Sequence, residues 1–440
     1  MNKIAKCIAI IFFCILVLGK IACADEFQII IERLEELQEK VQALEGLKQE
    51  MQILKEELKQ EIQARDEQVI ALEERVEESE PVFDLARTLA KTHLGGYFEL
   101  HYNNAINGRS SGKDDVLDFH RFVLYLDHEI NDWIKFTSEL EVEHAFVEGG
   151  KESGEVELEQ AYLDFSLHEK FNVRAGVLLM PIGIINQNHE PPTFNGVERP
   201  FVDKYIIPTT WFDSGIGFFG EVLPGLSYQF NIMGGLKAED FRAEDGIRKG
   251  RQKGFKTNAE DLAFVGRLDY KNIPGLQLGA TFYWGDSAQG LSIGEDVNVT
   301  IGEFDFKYRL GNFDFRGEYA LINIDDAREL NLVLGKTSGE DAIASEIQGW
   351  YLESAYHFLR RFIPGTSHDA NFFIRYEDFD TQYGMPSGFE RNRKYDRTAW
   401  TIGLSYWPTE NVVIKADYQD VDQGGGGADD FFNLGLGWQF

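Results

Sequence analysis

The chain has 440 residues, with 74 acidic and 43 basic side chains and a formal net charge of −31 at pH 7. That balance argues against a surface that follows phosphate backbones, so nucleic acid is not an expected partner. Thirty-four Phe, 17 Tyr and 7 Trp beside 43 Gly, with only 5 Met, are typical of an aromatic-rich β-protein rather than a helical one.

Residues 1–24 form a predicted signal peptide. Lys3 and Lys6 precede an apolar run over residues 7–19, which is shorter than the roughly 20 residues of a spanning helix. The small residues Ala22-Cys23-Ala24 predict cleavage before Asp25. A lipoprotein attached through the cysteine of that pattern is the alternative.

All three cysteines, Cys7, Cys14 and Cys23, lie within this signal peptide. A chain cleaved before Asp25 has no thiol left, so neither disulfides nor thiolate catalysis are expected. No other apolar run approaches the length of a membrane-spanning helix, so helical spans are not expected either.

Residues 25–80 show a hydrophobic period of three and a half, which predicts a periplasmic α-helical coiled coil. A lone helix would leave this long apolar seam in water. Ser79-Glu80-Pro81 ends the helical pattern, and residues 81–93 are a predicted linker. The two rows of the seam are Ile30, Leu37, Leu44, Met51, Leu58, Arg65 and Leu72, and Leu34, Val41, Lys48, Lys55, Ile62, Val69 and Val76.

Residues 94–440 contain sixteen strand-like segments, the first at 94–104, the thirteenth at 369–378 and the last at 430–440. Short turns alternate with long loops between them, which is the asymmetry of an outer-membrane barrel. The prediction is an all-β fold, a 16-stranded antiparallel transmembrane β-barrel with an N-terminal coiled coil. A soluble β-sandwich is the alternative for any single strand.

The terminal strand carries the clearest alternation. Phe432, Leu434 and Leu436 share one face with Trp438 and Phe440, while small or polar residues occupy the other face. An apolar face at the end of the chain is expected to meet lipid. Trp438 and the terminal Phe440 also resemble the C-terminal signal that the barrel-assembly machinery of Gram-negative outer membranes recognises.

Residues 180–213 are too apolar and too rich in proline for a disordered surface loop. We expect this segment to fold into the barrel and constrict the lumen; a compact external loop is the alternative. Its candidate functional side chains are Glu190, Glu198, Arg199, Asp203 and Trp211.

Three carboxylates, Glu139, Glu141 and Glu143, lie on the predicted lumenal face of one strand. Rings or ladders of one charge sign select ions, so these groups predict a modest preference for cations. The alternative is that Arg121 or Arg174 on nearby strands neutralises them. The other candidate pore-lining side chains are Lys307, Arg309 and Arg316.

Motifs for catalysis are weak. Gly290-Leu291-Ser292-Ile293-Gly294 matches a nucleophile-elbow string but lies between two strands, not between a strand and a helix. His189-Glu190 lacks the second histidine of a zinc-binding helix. We therefore expect no enzymatic activity, no cofactor and no metal site.

Several segments resemble a porin family usually described as phosphate-selective porin O and P-like: 117–122, 138–145, 157–162, 173–176, 190–200 and 207–211. The resemblance covers most of residues 94–440. It implies a trimeric sixteen-stranded barrel with an inward-folded loop, and the family name implies anion selection. Related siderophore porins also pair such a barrel with an N-terminal coiled coil.

The sequence therefore predicts a homotrimeric outer-membrane porin for small hydrophilic solutes or ions. Its expected partners are outer-membrane lipid, lipopolysaccharide and the barrel-assembly machinery. Two alternatives are an importer for a siderophore or similar ligand, and a structural tether between outer membrane and cell wall.

Overall fold

The structure, a computed structural model, describes residues 24–76, 87–106, 115–147, 154–293, 296–363 and 365–440. The chain divides into two units, Met1–Thr88 and Leu89–Phe440. The predicted signal peptide lies outside the described residues except for Ala24, as does part of the predicted linker. No helix among these residues is long and apolar enough to cross a membrane.

In the described part of the first unit, Ala24–Val76 form a continuous helix, α1. Seam residues of this helix are exposed in the single chain, with Leu44 and Met51 each 65 % accessible. Apolar side chains such as these stabilise a structure only when another surface buries them. The helix is therefore confirmed, and its pairing into a coiled coil stays a prediction.

The second unit is a closed barrel in which every strand runs antiparallel to its neighbours. Its first strand pairs with both the second and the last, which closes the sheet and leaves no free edge. The predicted sixteen-stranded barrel is confirmed. The strands are β1 Thr92–Ala105, β2 Asp115–Asn131, β3 Ile134–Glu143, β4 Val156–His168, β5 Phe171–Leu179, β6 Phe212–Leu223, β7 Leu226–Gly234, β8 Leu262–Ile273, β9 Leu276–Asp286, β10 Asn298–Leu310, β11 Phe313–Ile324, β12 Glu346–His357, β13 Asp369–Gly384, β14 Asp396–Thr409, β15 Val412–Gln423 and β16 Phe431–Gln439.

The two ends of the barrel differ. At one end, here the turn end, most connections are two residues long, and Gly225 and Gly275 adopt φ values of +76° and +78° in such turns. The other end, here the loop end, carries the long connections, including short helices α2 Val202–Tyr205 and α3 Ala327–Val333. A further short helix, α4 Leu359–Phe362, lies at the turn end. The strand count is even, so β1 begins and β16 finishes at the turn end.

Strand β16 shows why the sequence forms this wall. Its outward residues Phe432, Leu434 and Leu436 are exposed in a continuous apolar band, as a face towards lipid requires. Its inward Gly435 and Gly437 let the chain inside the barrel approach closely, because a Cβ on Gly437 would lie 2.4 Å from the Cβ of Pro191. The predicted alternation is confirmed on both faces.

Strand β13 is longer than predicted, since it continues to Gly384 rather than ending near residue 378. The extension is held by loops at the loop end. The hydroxyl of Thr381 donates to the carbonyl of Ala243 at 2.6 Å, and the amide of Gln382 donates to the carbonyl of Ala342 at 2.7 Å. The polar residues of this stretch are typical of a loop. In the structure their side chains donate hydrogen bonds to backbone carbonyls of neighbouring loops instead.

Candidate functional site

The connection between β5 and β6, residues 180–213 and here the constriction segment, folds into the barrel. Its two flanks belong to one buried hydrophobic cluster, in which the ring of Trp211 lies 5.2 Å from that of Tyr283. Inward-facing wall residues near the loop end complete the cluster and are apolar themselves, among them Val299, Ile301 and Ile322. The flanks of the segment therefore pack against the inner wall of the barrel.

Asn186 ties the two flanks of the constriction segment together. Its amide nitrogen donates to the carbonyls of Met180 and Trp211 at 2.8 and 2.9 Å, and its amide oxygen accepts from the backbone N–H of Trp211 at 2.7 Å. The side chain is fully buried, so these bonds supply the hydrogen-bond partners that water would supply at the surface. The segment therefore enters and leaves the lumen at one fixed point.

Carboxylates on the barrel wall hold the middle of the constriction segment. They accept hydrogen bonds from its backbone N–H groups, which need partners because the segment is buried. Acidic residues that face inward thus serve largely as anchors. The pairs are Ile184 with Glu318 at 3.0 Å, Val197 with Asp417 at 2.5 Å and Val202 with Glu377 at 3.1 Å.

Asn195 fixes the point where the segment crosses the lumen. Its amide nitrogen donates to Glu353 at 2.9 Å, and its amide oxygen accepts from Asn371 at 2.9 Å. The fully buried guanidinium of Arg375 bonds Glu353 at 3.1 Å and Glu377 at 2.8 Å. This cation stabilises the two wall carboxylates that hold the segment, since buried charges need partners.

His189 anchors the segment on the opposite wall, against β3 and β4. Its Nδ1 lies 3.1 Å from the carbonyl of Asn186, and its Nε2 lies 3.2 Å from Glu139 and 3.3 Å from Glu159. Burial alone would lower the pKa of His189, but the two carboxylates outweigh burial and raise this pKa well above its ordinary value. The imidazolium form, which donates from both nitrogens, fits these contacts.

Three cavities adjoin the constriction segment. One of them, here the loop-end cavity, has a volume of about 390 Å³ and lies on one side of the segment. The other two lie on the other side: the first turn-end cavity, of about 270 Å³, and the second turn-end cavity, of about 300 Å³. Phe194 borders both the loop-end cavity and the first turn-end cavity, so its ring stands between them. The ammonium of Lys415 lies 3.7 Å from the centroid of that ring.

The predicted carboxylate ladder does not line open space as expected. Glu139 and Glu141 are each 1 % exposed, and only Glu143 borders the loop-end cavity. Arg121 lies 3.5 Å from Glu141 and 3.8 Å from Glu143, which is the neutralisation given as the alternative. The basis for a cation preference is therefore removed, because the constriction segment covers one group and Arg121 compensates the others.

The remaining predicted basic residues lie at three places. Arg174 forms a bidentate pair with Asp164, at 2.6 and 2.8 Å, beneath which Tyr162 stacks. Lys307 borders the second turn-end cavity, whereas Arg309 and Arg316 border the first.

The predicted residues of the constriction segment also divide. Glu198 and Arg199 border the loop-end cavity, while Asp203 and Trp211 are buried in the packing of the segment. Glu190 is partly exposed at the start of a short 3-10 helix. Burial alone would raise the pKa of Glu198, but hydrogen bonding by His101 keeps this pKa well below its ordinary value.

The anchoring roles of Arg375, Glu353 and Asp417 could not be predicted from the sequence. The alternation of side chains along each strand places all three on the inward face. Alternation does not distinguish an inward side chain that faces water from one that binds a loop. A usable signal was present on β10, where the inward positions change from Val299 and Ile301 to acidic residues along one strand. That change marks where the inner wall is covered.

Comparisons with known proteins agree with this architecture. The family model described as phosphate-selective porin O and P matches residues 94–427. A protein of Aquifex aeolicus strain VF5, described as uncharacterized, is 37 % identical over 355 residues, which are 79 % of each chain.

Solved structures also resemble the barrel. The outer membrane channel DcaP of Acinetobacter baumannii matches with a TM-score of 0.52 at 12 % identity, and Salmonella typhi OmpF with 0.51 at 14 %. An anion-selective porin from Comamonas acidovorans matches with 0.50 at 13 %. Each match covers 79 % of this chain and at least 97 % of the other. At these identities the likeness shows a shared fold.

Proposed function

Because this chain belongs to the phosphate-selective porin O and P family and is an outer-membrane channel for solutes or ions, we propose that it passes small hydrophilic solutes with a preference for anions. In such barrels the long loops face outward and the short turns face the periplasm. The loop-end cavity is then the extracellular entrance, and the constriction segment controls passage beyond it.

The charge of the loop-end cavity is the observation that carries this proposal. Its acidic groups are paired: Glu99 and Glu198 both bond His101, at 2.9 and 3.1 Å, and Glu143 lies near Arg121. Four cationic side chains border the cavity against these three acidic ones, namely Arg121, Arg199, Lys204 and Arg248. Lys204 is exposed, so its charge is available to an entering ion.

The second turn-end cavity also has more cationic than acidic side chains. Arg267 binds both of its acidic groups, with distances of 2.9 Å to Asp269 and 2.7 Å to Asp305. Lys271 and Lys307 border the same cavity. Cationic side chains thus outnumber acidic ones in the loop-end cavity and the second turn-end cavity, whereas the first turn-end cavity has Arg309 and Arg316 beside Asp314, Asp369 and Glu410.

We expect the double variant Arg199→Gln, Lys204→Gln to lose much of the anion preference, because it removes two cationic groups at the entrance. Reversal potentials in a potassium chloride gradient across a planar bilayer measure this change. Lys256→Gln, which removes an exposed charge away from the cavity, is the matched control. A cation preference in the unmodified channel would overturn the proposal.

We further propose that the channel is a homotrimer whose chains are joined in the periplasm by α1. The exposed apolar seam of α1 supports this, since burial between chains is what stabilises such a seam. The barrel alone closes its own sheet and does not need a partner for that purpose.

Deleting residues 30–78 should leave a barrel that inserts but forms oligomers that dissociate at lower temperature. Native gels of heated, detergent-extracted protein measure this loss. A finer pair of variants keeps the helix: Leu44→Gln with Met51→Gln disrupts the seam, whereas Glu50→Gln with Glu57→Gln changes charges beside it. Equal heat resistance in all variants would assign α1 another role.

A further inference from the structure

Three histidines meet at the loop end, although they come from different strands. His101 lies on β1, His120 lies on β2 and His144 directly follows β3. The rings of His101 and His120 stack with centroids 4.6 Å apart, and the ring of His144 meets that of His120 edge-on at 5.5 Å. His101 and His120 also border the loop-end cavity.

We propose that Asp118, His120 and His144 form a binding site for a divalent transition-metal ion such as Zn²⁺ at the entrance of the channel. Asp118 Oδ2 lies 2.7 Å from Nδ1 of His144 and 3.2 Å from Nδ1 of His120, and one ligand atom from each residue lies within 4.8 Å of the others. Tetrahedral zinc with bonds of about 2.1 Å needs ligand atoms about 3.4 Å apart.

The chemistry of this set selects the class of ion. Two imidazoles with one carboxylate suit zinc, copper or nickel, whereas calcium and magnesium prefer oxygen ligands throughout. Three protein ligands also leave a fourth position for water or an anion. The sequence predicted no metal site because Asp118 and His120 are two residues apart but His144 lies 26 residues beyond Asp118, a spacing that matches no metal-binding motif.

Access and backbone geometry support the same site. The side chains of Asp118 and His120 are about one-quarter exposed and that of His144 is 48 % exposed, so an ion can enter from solvent. His144 adopts φ +58°, a left-handed conformation uncommon for residues other than glycine. Its backbone N–H donates to the carbonyl of His120 at 3.0 Å, which holds the two ligands side by side.

Neighbouring groups place the ion on one side of His120. Arg121 lies 3.3 Å from its Nε2, so a second cation there is disfavoured, while Asp118 faces its Nδ1. Binding through Nδ1 places the ring proton on Nε2 and breaks the contact with Arg121, which keeps its ion pairs with Glu141 and Glu143. The cluster of Glu139, Glu159 and His189 is fully buried and anchors the constriction segment instead.

The test uses full-length protein extracted from the outer membrane in detergent and purified without a polyhistidine tag. Competition with a chromophoric chelator measures Zn²⁺ binding, and Co²⁺ absorption reports tetrahedral coordination. We expect saturable binding of one ion per chain, weakened at least about tenfold by His120→Ala with His144→Ala, since weaker perturbations of metal sites already cost about 10–100-fold. His368→Ala, which changes an exposed histidine at the turn end, should bind as the unmodified chain does.

Two outcomes would overturn the proposal: no saturable Zn²⁺ binding by the unmodified protein, or unchanged binding in the double variant. Should that variant fail to assemble, His144→Gln makes the same test, because it changes only the most exposed ligand. A channel measurement adds an independent readout. Zn²⁺ on the extracellular side should shift the reversal potential further towards anions in the unmodified channel and not in His144→Gln.

Discussion

Replacing residues 188–200 of the constriction segment by a short glycine–serine linker should increase single-channel conductance several-fold. This stretch carries Phe194, which stands between the cavities, and Asn195, which holds the crossing point. Its removal joins the loop-end cavity to the first turn-end cavity. Ion selectivity should fall at the same time, since fixed charges act strongly only across a narrow passage.

The barrel should tolerate this deletion. The flanks of the segment, including Met180 and Trp211, keep their packing on the wall and their tie through Asn186. Glu353 loses the hydrogen bond from Asn195 but keeps its ion pair with Arg375 and gains water, which avoids the cost of an unpaired buried charge. Heat-modifiable migration on gels checks that the variant is folded.

Conductance in planar bilayers measures the effect. Deletion of Gly425–Gly427, exposed residues in the loop between β15 and β16, is the matched control because it shortens a loop at the same end of the barrel. That control should conduct as the unmodified channel does. An unchanged conductance in the replacement variant would show that residues 188–200 do not limit the pore.

Phe440→Asp should remove most of the protein from the outer membrane while changing the stability of assembled barrels little. The ring of Phe440 is 40 % exposed and stacks on Trp438 with centroids 4.8 Å apart. It lies at the turn end of the wall, where a charged side chain costs only about 0–1 kcal/mol. A large loss of yield therefore requires failed recognition during assembly rather than an unstable product.

The backbone of Phe440 already takes part in barrel closure and is unaffected by this change. Its N–H donates to the carbonyl of Gly96 at 2.9 Å, and its carbonyl accepts from the N–H of Gly96 at 3.1 Å. Gln439→Asp, at the adjacent inward position, is the control and should insert normally. Equal outer-membrane yield of Phe440→Asp and the control would contradict the assigned role of the terminal ring.

Much of the fold could be predicted from sequence because strand alternation is a local property. Each strand carries its own apolar outer face, as Phe432 and Leu434 do on β16, and a closed antiparallel barrel follows from sixteen such strands in succession. The constriction segment was also visible, since prolines and apolar residues in one long connection require a buried environment.

The candidate site was predicted less well. Inward parity correctly placed Glu139 and Glu141 inside the barrel, but His189 and Arg121 determine that these carboxylates are buried and paired. Those contacts join residues that are distant along the chain. No local pattern reports which inward side chains a folded loop covers.

The strands, the lipid-facing band and an inward path for residues 180–213 can be predicted from local polarity, because each depends on the polarity of neighbouring residues. Which charges meet solute depends instead on contacts between distant parts of the chain. Pairing of neighbouring strands brings Arg375 to Glu353 and His144 to Asp118, and the inward path of the constriction segment brings His189 to Glu139. The electrostatics of the channel follows from these pairings across the lumen and between strands, since a charge acts on an ion only where it is neither covered nor compensated.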